Sequence, residues 1–407
     1  MVLSLLLLSA CAATGSYFGS EASGARASDA RTNASDTRTT SSEARTECEV
    51  TSPTVTPPLV TGGTLPQQPD VAPNVALAVL FGSSALDRST YTVQIVDANG
   101  QPVASIKAHL RSAITGTCGN DVQVFPAMPL MSASRGRVYY LDGDTDVRYL
   151  AADGSTGLAT RLPGSSQSVA MFAVSPDDFK IAVSVFDYRQ HPVAARLFVR
   201  ELDGRNRIGL PESDIAYRWP VGWHDGKLLV GSDGTASPMF GFYGALPYRL
   251  TGLELLDPTS GRIVANLARS HCLPQSSLPT PAGFACATSG LAVGRIDWSG
   301  NATIFANADA YTGGASLSPD GTQLLASGTG ALLKLIDSPE TGSTSISLGS
   351  TYPQGGGYPH DGGWLDPFHV VYRVAGTSDQ VVIDVRNKAI APLPANAVLV
   401  ARLPGGY

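Results

Sequence analysis

Ser316-Leu317-Ser318-Pro319-Asp320-Gly321-Thr322-Gln323-Leu324-Leu325 sets a polar tight turn directly before an apolar run. SPDG is either a carboxylate loop with chemistry to do or a hairpin turn that the chain uses repeatedly. Recurrence separates the two readings, because a building turn comes back at a fixed interval. Val174-Ser175-Pro176-Asp177-Asp178-Phe179-Lys180 precedes an apolar run, as do Gly222-Trp223-His224-Asp225-Gly226-Lys227, Gly363-Trp364-Leu365-Asp366-Pro367-Phe368-His369 and Ser134-Arg135-Gly136-Arg137. The apolar runs begin at 138, 181, 228, 324 and 370, so their separations are 43, 47, 96 and 46. The long gap is two periods, and a degenerate copy is expected near Phe284-Ala285-Cys286-Ala287.

A second register runs through the same region. Apolar strands lead into Asp97, Asp153, Asp203, Asp257, Asp297, Asp337 and Asp384, and a Gly or Asn follows most of them. Each Asp can cap a turn with its own side chain while Gly supplies positive φ. Each repeat therefore reads strand, SPDG-type turn, strand, variable loop, strand, Asp-Gly turn, strand. Four antiparallel strands every 40–50 residues or so is the signature of a propeller blade. Seven copies predict an all-β, seven-bladed β-propeller, with six or eight blades as alternatives. The strand Val398-Leu399-Val400-Ala401-Arg402 is expected to complete the blade begun near Val75 and so close the ring.

Composition agrees. The 407 residues are 43% hydrophobic and 15% charged, with 43 Gly and 28 Pro, and no long helical periodicity stands out. Low charge and abundant turn-formers suit many short strands. A net charge of −6 argues against nucleic acid as a partner, since phosphate binding needs a basic surface.

The units resemble the TolB-type and WD-like repeats of bacterial propellers over residues 74–404, on the strength of the SPDG-like turns and the strands ending in Asp. The Trp-Asp dipeptide of true WD repeats is absent at the strand ends. The resemblance implies architecture and carries over no partner-binding residue.

At the N-terminus, Val2 to Leu8 is an apolar run too short to span a bilayer. It fits the core of a signal peptide. Leu8-Ser9-Ala10-Cys11 resembles the lipobox of bacterial lipoproteins, which implies that Cys11 becomes the lipidated first residue. The alternative is a plain secretion signal with a chance cysteine. Residues 11–72, rich in Ser, Thr, Ala, Gly and Pro, read as a flexible tether between a signal peptide at 1–10 and the ring at 73–407. This places the protein in a bacterial cell envelope, outside the cytoplasm, on a lipid anchor.

Four further cysteines in an exported chain suggest two disulfides. Cys272 and Cys286 bracket a Pro-rich stretch read as a blade-to-blade crossover, which leaves Cys48 to pair with Cys118 or stay free.

In such a ring the SPDG and Asp-Gly hairpins share one face, and the middle hairpins and crossovers share the other. Asp320, Asp177, Asp366 and His224–Asp225 are then turn residues rather than acids or bases. Long irregular connections carry function more often than short ones. The longest middle loop, 231–249, carries Met239, Phe240, Phe242, Tyr243 and Tyr248. The neighbouring blade offers Tyr188, Arg189 and His191, and a crossover brings Tyr358 and His360. These form the candidate partner- or ligand-binding rim; plugging of the channel mouth by the same rings is the bland alternative.

His191, His271 and His360 lack local ligand spacing, so no metal is expected. Asp142-Gly143-Asp144-Thr145-Asp146 opens like a calcium loop, but Val147 stands where Gly is needed, so it reads as a hairpin tip. No nucleophile elbow, phosphate cradle or cofactor motif is present. The expected function is a monomeric, non-catalytic binding module for an extracytoplasmic protein or small ligand, without cofactor. The rival is a lactonase-, lyase- or quinoprotein-like enzyme with its site in the axial funnel.

Overall fold

The computed structural model describes Leu65, 77–83 and most of 89–406. Outside the described residues lie 1–64, 66–76, 84–88, 113, 116–123, 126–130, 166, 190–192, 211–216, 234–241, 244–245, 248–251, 269–270, 275–277, 289–291, 307–310, 329–332, 339–362, 374–379, 395–396 and 407. Every regular element among the described residues is a β-strand.

The strands form seven antiparallel sheets in chain order, the blades of a propeller. Blade 2 is Met131–Ala133, Arg137–Asp142, Asp146–Ala151 and Thr156–Arg161. Blade 3 is Ser168–Val174, Lys180–Asp187, Ala194–Glu201 and Ile208–Gly209. Blade 4 is Tyr217–His224, Lys227–Asp233, Gly252–Leu256 and Ile263–Asn266. Blade 5 is Cys272–Pro274, Phe284–Thr288, Val293–Ile296 and Ala302–Ala306. Blade 6 shows Tyr311–Leu317, Gln323–Gly328 and Leu333–Asp337, three strands among the described residues. Blade 7 is Gly363–Trp364, His369–Arg373, Gln380–Asp384 and Ile390–Pro392.

Blade 1 combines both ends of the ring. Ala397–Leu403 is its inner strand, and Leu77–Ser83, Thr90–Asp97 and Pro102–His109 follow outward. Leu77 pairs with Leu403 and Phe81 with Val398, so the expected closure holds. It removes a free inner edge that would otherwise pair with another chain.

The core is divided among the junctions. Each pair of successive blades shares an apolar cluster, from blades 1–2 (Val93, Ile95, Tyr140) round to blades 7–1 (Val371, Val382, Leu399), and blades 3–4 share a second. A lone blade has no second sheet to cover its apolar face, so burial worth about 1.5–3 kcal/mol per large side chain comes from stacking. Leu65, within the segment read as tether, is half-buried against the cluster of blades 2–3.

All seven Asp-terminated strands are the third strands of their blades. Six of those aspartates accept backbone N–H groups of the turn that follows: Asp97 from Asn99 and Gln101, Asp153 from Ser155, Asp203 from Arg205, Asp257 from Thr259 and Ser260, Asp297 from Ser299 and Asn301, and Asp384 from Arg386. The SPDG turns join first to second strands. Ser318 Oγ donates to Asp320 and accepts the Gln323 N–H, while Asp320 accepts the Thr322 N–H. Ser175 and Asp177 repeat that arrangement with Lys180 and Phe179. Gly321 lies at φ 73°, where a side chain would be strained.

The degenerate copy is present. Thr280-Pro281-Ala282-Gly283 makes the turn before Phe284, with Thr280 Oγ1 accepting the Ala282 N–H in place of an aspartate. One expectation is corrected here. Cys272 and Cys286 do form a disulfide, but they lie on the first and second strands of blade 5, where Pro274 pairs with Cys286. The Pro-rich stretch between them is that blade's first hairpin, not a crossover. It is longer than its counterparts, which hid its equivalence to SPDG. Cys11, Cys48 and Cys118 lie outside the described residues.

Candidate functional site

Antiparallel order within a blade gives the ring two unlike faces. First-to-second and third-to-fourth turns lie on one, the hairpin face. Second-to-third turns and blade-to-blade connections lie on the other, the crossover face.

On the hairpin face, polar groups are consumed locally or by the next blade. Trp223 Nε1 donates to the Ala173 carbonyl of blade 3 at 3.1 Å, and Trp364 Nε1 to the Ser316 carbonyl of blade 6 at 3.0 Å. Arg137 of blade 2, buried, pairs with Asp178 of blade 3 at 2.6 Å. His224 stacks on Trp298 at 3.9 Å between ring centroids and is a turn residue, as the spacing predicts. The C-terminal tail crosses the same face: Gly405 N–H donates to the Ser134 carbonyl, and a Cβ at Gly405 would stand 2.3 Å from the Ala133 oxygen. Arg402 reaches from blade 1 to the carbonyls of Trp364 and Pro279.

The crossover face carries additions. Phe242–Tyr243 pairs with Leu246–Pro247 as a separate two-stranded hairpin inside the long middle connection of blade 4. Ile114–Thr115 pairs with Val124–Phe125 inside the connection from blade 1 to blade 2. Asp142 pairs with Asp146 across a turn, so the calcium-like run is a hairpin tip. His109 and Ser112 of the blade 1–2 connection bond to Asp142 and Asp144 there.

Between these features, blades 3 and 4 build an aromatic cluster of Val169, Met171, Phe186, Tyr188 and Trp219, flanked by Tyr217. Alternation along Tyr217–His224 aims Trp219 at blade 3. Arg111, from the blade 1–2 connection, is 7% exposed and donates through one Nη2 to the carbonyls of Ser165 and Ser168, each at 3.0 Å. Tyr188 is its electrostatic neighbour. Among the described residues, neither Arg111 Nε nor the Trp219 indole N–H has a hydrogen-bond partner, although both are buried. Buried polar groups are almost always paired; among the described residues the Nε atoms of Arg200 and Arg295, at other junctions, likewise show no hydrogen-bond partner. Burial pushes the Tyr188 hydroxyl well above its usual range, and it stays protonated. The cluster is packed as core, with these donors buried beside its rings, and it offers no base.

The rim predicted from sequence divides as follows. Tyr188 is in this cluster, with its ring buried rather than on the surface. Arg189 is folded back on Asp187 in a two-pronged ion pair, Nε to Oδ1 at 2.8 Å and Nη2 to Oδ2 at 2.5 Å, which lowers the Asp187 pKa. Phe242 and Tyr243 lie on the accessory hairpin. His191, Met239, Phe240, Tyr248, Tyr358 and His360 lie outside the described residues. Among the described residues no group of three or more His, Cys, Asp or Glu could hold a metal.

Arg111, Tyr217 and Trp219 were not singled out from the sequence. Trp219 stands at the crossover end of an inner strand, and that position was its only signal.

No family model and no curated protein matches the chain. Solved structures similar to it include Porphyromonas gingivalis dipeptidyl peptidase 4, with 10% identity, a TM-score of 0.46, 78% of this chain and 50% of that one. TolB from Acinetobacter baumannii is similar with 11% identity, a TM-score of 0.33, 81% of this chain and 65% of that one. An oligogalacturonate lyase in complex with manganese has 12% identity, a TM-score of 0.46, 83% of this chain and 99% of that one. The chain thus spans half the length of the first and 65% of the second.

Proposed function

We propose that the protein is a cell-envelope lipoprotein in which a non-catalytic β-propeller captures an extracytoplasmic protein or small ligand on its crossover face. Cys11 carries the lipid, residues 11–72 form the tether, and the ring acts as a monomer without cofactor. The observation that carries the reading is that both accessory hairpins stand on the crossover face, one in the middle connection of blade 4 and one in the connection from blade 1 to blade 2. Aromatic residues carried on long irregular connections suit capture of a partner with apolar groups.

Two experiments test it. Replacing Phe240, Phe242 and Tyr243 together by Ala is expected to leave the unfolding transition in place and abolish cross-linking to the partner in the native envelope. Loss of the transition would instead make those rings core. Cys11→Ala is expected to abolish labelling by a fatty-acid precursor and release the protein from the membrane fraction; continued labelling would overturn the anchor.

A further inference from the structure

The third strand of blade 3 turns Phe198 and Arg200 toward blade 2, since alternate residues of a strand share a face roughly 7 Å apart. Phe198 is buried in the core between blades 2 and 3. Arg200 reaches across the junction, its Nη2 donating to Thr160 Oγ1 at 3.1 Å and to the Arg161 carbonyl at 2.5 Å. Arg207, in the turn that follows, lays its guanidinium over the Phe198 ring, 4.0 Å from the centroid. Two guanidinium groups are therefore fixed in one groove, one by hydrogen bonds and one by stacking.

The local carboxylates are committed elsewhere. Arg205 holds Asp203 at 2.6 Å and Glu201 at 3.3 Å, and Asn206 also bonds Glu201. Arg161 is held by Asp146. Among the described residues, neither Arg200 nor Arg207 makes an ion pair, whereas Arg137, Arg148, Arg161, Arg189, Arg205, Arg218 and Arg386 all do. Burial, and after it the nearby Arg207, lower the Arg200 pKa while Asp203 opposes them, so the two positive groups feel one another. In a chain of net charge −6, these two preorganised arginines have near them Asp203, a carboxylate already held by Arg205.

We infer that the junction between blades 2 and 3 is a binding site for a phosphate or sulfate group, held between Arg200 and Arg207 with Thr160 as positioning residue. Planar guanidinium forks match tetrahedral oxyanions with paired hydrogen bonds, and an exposed Arg207 over a buried ring leaves its edge open to the ligand. The site lies at the blade 2–3 junction, apart from the blade 3–4 aromatic cluster and from the accessory hairpins. The same chemistry is found in a lipid headgroup and in a free phosphate or sulfate ester.

The test titrates inorganic phosphate into full-length, 15N-labelled protein at constant ionic strength and follows the arginine Nε–H signals. Saturable shifts of Arg200 and Arg207 are expected, weakened about tenfold or more in Arg207→Gln and unchanged in Arg262→Gln, an exposed arginine of another hairpin-face turn. An unchanged unfolding midpoint for Arg207→Gln shows that the fold survives. A second arm uses vesicles of phosphatidylcholine with and without phosphatidylglycerol. Arg207-dependent binding to the anionic vesicles assigns the site to a headgroup; phosphate binding without vesicle binding assigns it to a soluble ester. Shifts that do not saturate, or an equal loss in Arg262→Gln, would overturn the proposal in favour of diffuse charge.

Discussion

Trp223 and Trp219 occupy the same inner strand and present their rings to the same neighbouring blade, yet only the first has its N–H satisfied. Trp223, at the hairpin end, donates to Ala173; Trp219, at the crossover end, has no acceptor among the described residues. The arginines differ in their partners. Arg137 on the hairpin side is held by a carboxylate, Asp178, whereas Arg111 on the crossover side is held by two backbone carbonyls, those of Ser165 and Ser168.

The contrast can be broken most forcefully at Arg137–Asp178. Asp178 adopts φ 61°, which Asn tolerates, so Asp178→Asn removes charge without backbone strain. Leaving Arg137 buried without its carboxylate is expected to cost about 3 kcal/mol in chemical denaturation, with partner capture by the folded protein intact. Next comes the covalent link on the same face: Cys272→Ala with Cys286→Ala opens a loop of sequence separation 14 and should cost about 3 kcal/mol. A midpoint that does not move would show that the link adds nothing to the hairpin.

The tryptophan pair sharpens the comparison. Trp223→Phe strands the Ala173 carbonyl and is expected to cost about 1–3 kcal/mol. Trp219→Phe breaks no bond seen in the ring, so its unfolding free energy should stay within about 1 kcal/mol while capture falls. Equal losses of stability would erase the distinction between the faces.

The smallest effect is set by pH. Hydrogen bonding from Arg386 holds the Asp384 carboxyl down at about 2, against 3.8 for a free one. A depressed carboxylate stabilises the fold above its unfolded pKa, and that contribution is lost as pH falls through its folded one. Thermal midpoints should therefore drop between pH 4 and 2, and Asp384→Asn should flatten the slope over that window. Tyr188, raised by burial, stays neutral throughout.

Architecture was legible because it is repeated. A turn that must supply positive φ and cap its own backbone accepts few residues, so Ser-Pro-Asp-Gly and the strand-ending aspartates survive where the apolar strands have diverged. The blade 5 copy was the hardest to see because Thr280 and Gly283 keep the turn without its aspartate. The site was far less legible. Aromatic richness drew attention to the long loop of blade 4 and to Tyr188, but whether a ring is packed or offered depends on its neighbours in space. Arg189 looked available and is spent on Asp187 two positions away. Arg111 and Trp219 matter only because separate blades bring them beside the same cluster, and no local pattern records that.

The seam in blade 1 has a temporal consequence. Its inner strand is made last and its other three first, so Leu77 must wait for Leu403, the most distant strand pairing among the described residues, before its second ladder forms. Such non-local closure is slow. Until the final strand arrives, the nascent ring is an arc with two sticky ends, and a chain interrupted before Ala397 stays in that state.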